Sequence, residues 1–161
     1  MTAQTPALSQ TLYFLDQAFE GSKWHSLIGN LQAVMDEDWL WVPPDGRRSI
    51  RDIVEHVAGA KLMYDNQAFG DKKLTWDNPD LIGGDRVATV ASGVEWLKAA
   101  HTRLRQSVAA LTGDAELLRQ RLHFSGAMKE TQWLISVMIE HDLYHAGEIN
   151  HIRCLHQRDD E

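Results

Sequence analysis

Apolar residues along the chain recur in steps of three and four, the spacing that lines one face of a helix. No stretch sustains the alternation of a half-buried strand. The pattern predicts four main helical regions. The first runs from about Leu8 to Met35, with Leu8, Leu12, Leu15 and Phe19 on one stripe and Trp24, Leu27, Ile28, Leu31, Val34 and Met35 on the next. Gly21-Ser22 is expected to break it, with Ser22 capping the second segment. DWLWVPPDGRR (38–48) reads as a loop. After it, Ser49 is placed to cap a helix that carries Ile50, Ile53, Val57, Ala60 and Tyr64 and ends near Gly70.

The third helix is the most regular. Val87, Val90, Val94, Leu97, His101, Leu104, Val108 and Leu111 hold core-like spacing, and His101 is the one member that is not aliphatic. Between the second and third helices, DKKLTWDNPDLIGGD cannot stay helical through Asn78-Pro79 and Gly83-Gly84, so it reads as a long crossover. After Thr112-Gly113-Asp114 a short helix around Ala115 to Arg121 and an irregular stretch are expected. Thr131 then offers an N-cap for a last helix reaching about His156. All four prolines, Pro6, Pro43, Pro44 and Pro79, fall outside the helical stretches. The fold class is therefore all-α, a four-helix bundle whose long second connection allows an up-down-down-up order.

Composition narrows the function. With 161 residues, 43% hydrophobic, the chain has material for one core, and a single domain over 1–161 is expected. The net charge of -7 makes nucleic acid a poor partner. No apolar run approaches the ~18 residues of a membrane span, and MTAQTPALSQ lacks the basic start and apolar core of a signal peptide. No membrane association is expected, and the expected location is cytoplasmic. The lone Cys154 excludes a disulfide framework and lies roughly 140° from His141 around the last helix, where a packed, inert thiol is expected.

Eight histidines are the unusual entry in the composition. On the last helix, Leu134, Val137, His145, Glu148, Ile152 and Leu155 all fall within roughly 40° of His141. Two histidines one turn apart and a carboxylate thus occupy the face that should be buried. Such groups are costly to desolvate unless something shared satisfies them, and a divalent metal does so. A third ligand must come from a facing helix. His56, at the edge of the second helix's apolar stripe, is the leading candidate, and His101 competes with it. His123, His151 and His156 are expected to be solvated.

These residues resemble a known family. SIRDIVEHVAGA around His56 and IEHDLYHAGEINHIR around His141 and His145 resemble the DinB-like (YfiT-like) metalloproteins, as do DQAFEGSKWHSL and DWLWVPPDGRRSI. The resemblance implies an up-down-down-up four-helix bundle with a metal held by His56, His141 and His145, leaving His101 a core or supporting role. Glu148 stands where related sequences often have Gln, and His25 carries no ligand role that transfers. Characterised members include thiol-dependent S-transferases that use low-molecular-weight thiols.

A three-histidine site leaves a coordination position free, as catalytic zinc sites do. The expectation is accordingly a metal-dependent transferase with zinc or nickel and a small thiol bound as thiolate, acting on a small-molecule substrate. Glu148 or Tyr144 would assist proton movement. A metal-dependent hydrolase and a non-enzymatic, stress-related metal-binding bundle are the alternatives. Nucleophile and phosphate-loop signatures are absent. Trp39, Trp41, Trp76 and Trp96 exceed what four helix stripes readily bury, and a homodimer is expected.

Overall fold

The computed structural model describes residues 7–157, so Pro6 lies outside the described residues. Helices dominate: α1 (Leu8–Asp16), α2 (Leu27–Leu31), α3 (Asp36–Trp39), α4 (Ile50–Phe69), α5 (Val90–Ala109) and α6 (Thr131–His156). A small antiparallel hairpin, β1 (Gln120–Leu122) and β2 (Met128–Glu130), precedes α6. It corrects the strand-free expectation. Three-residue strands are too short to register as alternation, and Gly126, at φ 85°, turns the chain back between them.

The first region is more broken than its stripes suggest. α1 runs into a widened, π-type turn over Gln17–Gly21, which carries Ala18 and Phe19 into the core. The cap of the next segment is Ser26, not Ser22: its hydroxyl accepts the Gly29 N–H at 3.1 Å. Ser22 instead accepts the N–H groups of Trp24 and His25, closing a turn. α3 runs into the first two residues of the expected loop, and the Asp38 carboxylate caps it by accepting the Met35 N–H at 2.8 Å.

α4 starts where the sequence predicts. Ser49 accepts the Asp52 N–H, and the Asp52 carboxylate accepts the Ser49 N–H, a reciprocal cap whose serine contributes about 1 kcal/mol. Thr89 and Ser92 do the same for α5, so Val87 falls in a 3-10 turn ahead of it. At α6, Thr131 is the first helical residue rather than the cap, and its hydroxyl donates to the Arg119 carbonyl.

α4 packs along both α5 and α6, α6 packs on α1 and α2, and α1 also meets α5. Ile53, Val57, Leu97 and Ile149 are fully buried between them, each contributing roughly 1.5–3 kcal/mol. Trp39 seals one end of this core and donates its indole N–H to the Val87 carbonyl at 2.9 Å. Trp41 stacks on His156, Trp96 lies under Arg86, and Trp76 stays about half exposed.

Gly93 on α5 is the close-approach point for Trp39, since a Cβ there would fall 2.7 Å from the indole. Gly93→Ala is therefore expected to lower stability by about 1 kcal/mol. Overpacking costs about 1–3 kcal/mol, against roughly 1 kcal/mol gained in helix propensity. A lower urea midpoint with an unchanged m-value would report it.

Candidate metal centre

His56 projects from the middle of α4, and His141 and His145 project from one face of α6. α4 and α6 pack side by side, so the three imidazoles meet. His56 Nε2 lies 3.0 Å from His141 Nε2, which lies 3.2 Å from His145 Nε2. Among the described residues these three form the group of potential ligands close enough to hold one ion. Two imidazole nitrogens on one tetrahedral zinc ion lie about 3.3 Å apart, so the spacing fits a shared metal. His145 is buried, His141 half-buried and His56 exposed, which leaves one side of the cluster open.

The protonation states suit a ligand set. Burial, followed by the neighbouring imidazoles and the cations Lys61 and Arg48, pushes His141 down to about 3. Partial desolvation of the ring by its neighbours, and then Arg48, lowers His56. His145 is also lowered, chiefly by burial, although Glu148 acts the other way. Neutral imidazoles keep a lone pair for coordination. Glu148 decides which nitrogen of His145 carries it. Glu148 Oε2 accepts from His145 Nδ1 at 2.7 Å, so the proton sits on Nδ1 and the Nε2 lone pair faces the cluster.

Glu148 is itself held by Arg48, whose Nε and Nη2 donate to its two oxygens at 3.0 and 3.2 Å. With both oxygens engaged outward, Glu148 is an orienting partner of His145. Tyr144 sits at the rim. Its ring meets His145 edge-on, centroids 4.9 Å apart, and is 67% exposed. Among the described residues its hydroxyl has no hydrogen-bond partner.

His101 stands apart from the cluster, buried and stacked on Phe19 with ring centroids 3.6 Å apart. Burial first, then Lys61 and Arg105, pushes it down to about 3. The unfolded chain protonates this imidazole near 6.5. The unfolded state thus binds the extra proton between these values, and stability falls as pH drops from 6.5 toward 3. The slope from this residue is about 1.4 kcal/mol per pH unit. His101→Leu should flatten that part of a urea stability profile.

Two other histidines correct the solvated expectation. His123 bonds to the Tyr64 hydroxyl and to Ser125, and His156 bonds to the buried Asp38, while His151 is exposed. Two features near the site carry no local sequence signal. One is Arg48, 100 residues from its partner Glu148. The other is Lys61, whose ammonium lies 2.7 Å from Asp142, both side chains 0% exposed.

None of the curated proteins compared with the chain matches it. A family model does, that of the DinB superfamily, over residues 22–149, a span that contains all three clustered histidines together with Arg48 and Glu148. With so much of its length matched, the chain belongs to the DinB superfamily.

Proposed function

We propose that the chain is a metal-dependent enzyme, most specifically a thiol-dependent S-transferase. In this reading His56, His141 and His145 hold a zinc or nickel ion, and a low-molecular-weight thiol is the cosubstrate. The observation that carries it is the convergence of three neutral imidazole nitrogens beside an open side. Closed structural sites fill all four positions with protein ligands, whereas catalytic ones keep one free. A divalent ion held there supplies the positive charge that favours the thiolate form of a small thiol at neutral pH.

The chain's own residues support this chemistry in distinct ways. Glu148 fixes the tautomer and direction of His145, and Arg48 holds that carboxylate in place through two hydrogen bonds. The Tyr144 hydroxyl, on an exposed side chain beside His145, would exchange a proton with solvent or substrate. A cavity of about 480 Å³, lined by Pro43, Pro44, Arg47, Arg48, Glu148 and His151, lies on the Arg48–Glu148 side of His145, and none of the three clustered histidines lines it. The packing of α1 on α6, α6 on α4, α4 on α5 and α5 on α1 supports an up-down-down-up bundle. The functional unit is proposed to be a single domain that forms a cytoplasmic homodimer, with Trp76 on its exposed surface. No described helix is long and apolar enough to cross a membrane.

Metal analysis of the purified protein, followed by a thiol-conjugation screen against a general electrophile, tests the reading. Stoichiometric metal and thiol-dependent conjugation are expected. Metal with ester or amide hydrolysis and no conjugation would replace the transferase by a hydrolase. Metal with no turnover of any kind would favour a binding role.

A further inference from the structure

The two helices that carry the histidine cluster are joined, inside the core, by an ion pair that the proposed chemistry does not use. Lys61 follows His56 on α4 by little more than a turn, and Asp142 directly follows His141 on α6. Their side chains meet at 2.7 Å with no exposure to solvent. Phe19 from the widened turn after α1 lies 5.2 Å from the Lys61 ammonium, and Phe19 stacks on His101 of α5. Four separate segments of the chain therefore converge on this one polar point.

Such a pair is a poor way to gain stability. Removing both charges from water costs several kcal/mol per ion, and apolar residues of similar volume commonly serve stability as well or better. A buried pair does, however, discriminate between packings. A slide of α6 against α4 by one residue moves the carboxylate about 1.5 Å along and 100° around the helix axis, and leaves two bare charges in an apolar core. Apolar neighbours such as Val57 and Met138 lose packing in that slide as well, but dispersion has no single preferred partner and can be partly remade, whereas the two bare charges cannot be. The same slide would pull His56 away from His141.

We infer that Lys61 and Asp142 are positioning residues for the metal centre: the pair locks α4 and α6 in the one register at which His56, His141 and His145 converge. This role rests on the metal reading for its consequence, but not for its geometry. It assigns the pair to the pre-organisation of the ligand set rather than to net stability. Neither residue touches the ion or substrate.

The test compares the wild-type chain with two double variants. Lys61→Met/Asp142→Leu removes the lock but fills the space. Lys61→Gln/Asp142→Asn keeps a neutral hydrogen bond across the same interface. Zinc affinity by competition with a chelator and the cobalt(II) absorption spectrum read the ligand set, and thermal melting reads stability. The Met/Leu variant is expected to melt at or above the wild-type temperature yet bind zinc about 10- to 100-fold more weakly, with an altered cobalt spectrum. The Gln/Asn variant should stay within about threefold of wild-type affinity, which a merely space-filling role would not produce. Wild-type affinity and spectrum in the Met/Leu variant would overturn the inference, as would equal losses in both variants.

Crystal structures of the metal-free proteins give a reading that does not depend on metal at all. The 3.0 Å separation of His56 Nε2 and His141 Nε2 should hold in the Gln/Asn protein and widen in the Met/Leu protein. If the wild-type chain takes up no metal, the functional proposal fails and these separations alone decide the lock. Unchanged separations in both proteins overturn it, and this arm stands if the Met/Leu protein cannot be obtained folded, since loss of the separation in the Gln/Asn protein overturns it as well.

Discussion

Replacing His145 with alanine is expected to abolish metal binding, whereas Glu148→Ala should keep the metal and weaken its hold by about 10- to 100-fold. The difference follows from where each side chain ends. His145 Nε2 faces the other two imidazoles, and removing it leaves two ligands, one of them exposed. Glu148 reaches only the far nitrogen of His145 and is clamped on its other side by Arg48. Without it, His145 can adopt the other tautomer, which points a proton at the metal position, and Arg48 loses its partner. Activity should fall further than metal occupancy does when zinc is supplied in excess. Metal content of the two purified variants, measured after dialysis against a weak chelator, checks the first part. A Glu148→Ala protein as empty as His145→Ala would make the carboxylate a ligand.

The largest expected loss of stability comes from breaking the buried pair on one side only. Lys61→Met should cost about 3–5 kcal/mol at neutral pH, because it leaves Asp142 charged and uncompensated in the core. In a chain of this size that lowers the melting temperature by roughly 10 °C. Burial already pushes the Asp142 carboxyl up, against the opposing pull of Lys61. Once the lysine is gone the folded carboxyl takes up a proton more readily than the unfolded one. The deficit relative to wild type should therefore be greatest at neutral pH and shrink as pH is lowered toward the carboxyl range. Chemical denaturation of both proteins at a series of pH values reads this directly, and a deficit that grows on acidification would contradict it.

The contrast between what the sequence shows and what it hides has a physical basis. α4 and α5 are legible because long amphipathic helices repeat one signal many times, and Ser49 marks the start of α4 with a short-range hydrogen bond, whereas the Thr89 cap of α5 goes unread and Val87 is placed in the helix. The histidine cluster is legible for a similar reason. His141, His145 and Glu148 share a face by local geometry, and only His56 has to be found across the fold. In the region from Leu8 to Met35 the break at Gly21-Ser22 and the core positions Leu27, Ile28, Leu31 and Val34 are legible, whereas the widened turn, the Ser26 cap and the exposure of Trp24 and Met35 are not. The hairpin is too short to show a period. Arg48 with Glu148, and Lys61 with Asp142, are invisible locally. Each pair joins residues 81 or more apart, and in sequence Arg48, Lys61 and Asp142 look like ordinary surface charges.

The same separation bears on how the centre comes into being. His56 and His141 touch in the folded protein but lie 85 residues apart along the chain. At translation rates of roughly 5–20 residues per second, the first ligand leaves the ribosome on the order of ten seconds before its partners exist. Any ion captured in that interval is held by a single imidazole and is readily lost. Under the proposed metal reading, loading is thus a late event, coupled to the docking of α6, and the identity of the metal would be decided by what the surrounding medium offers to a finished protein rather than to a growing one.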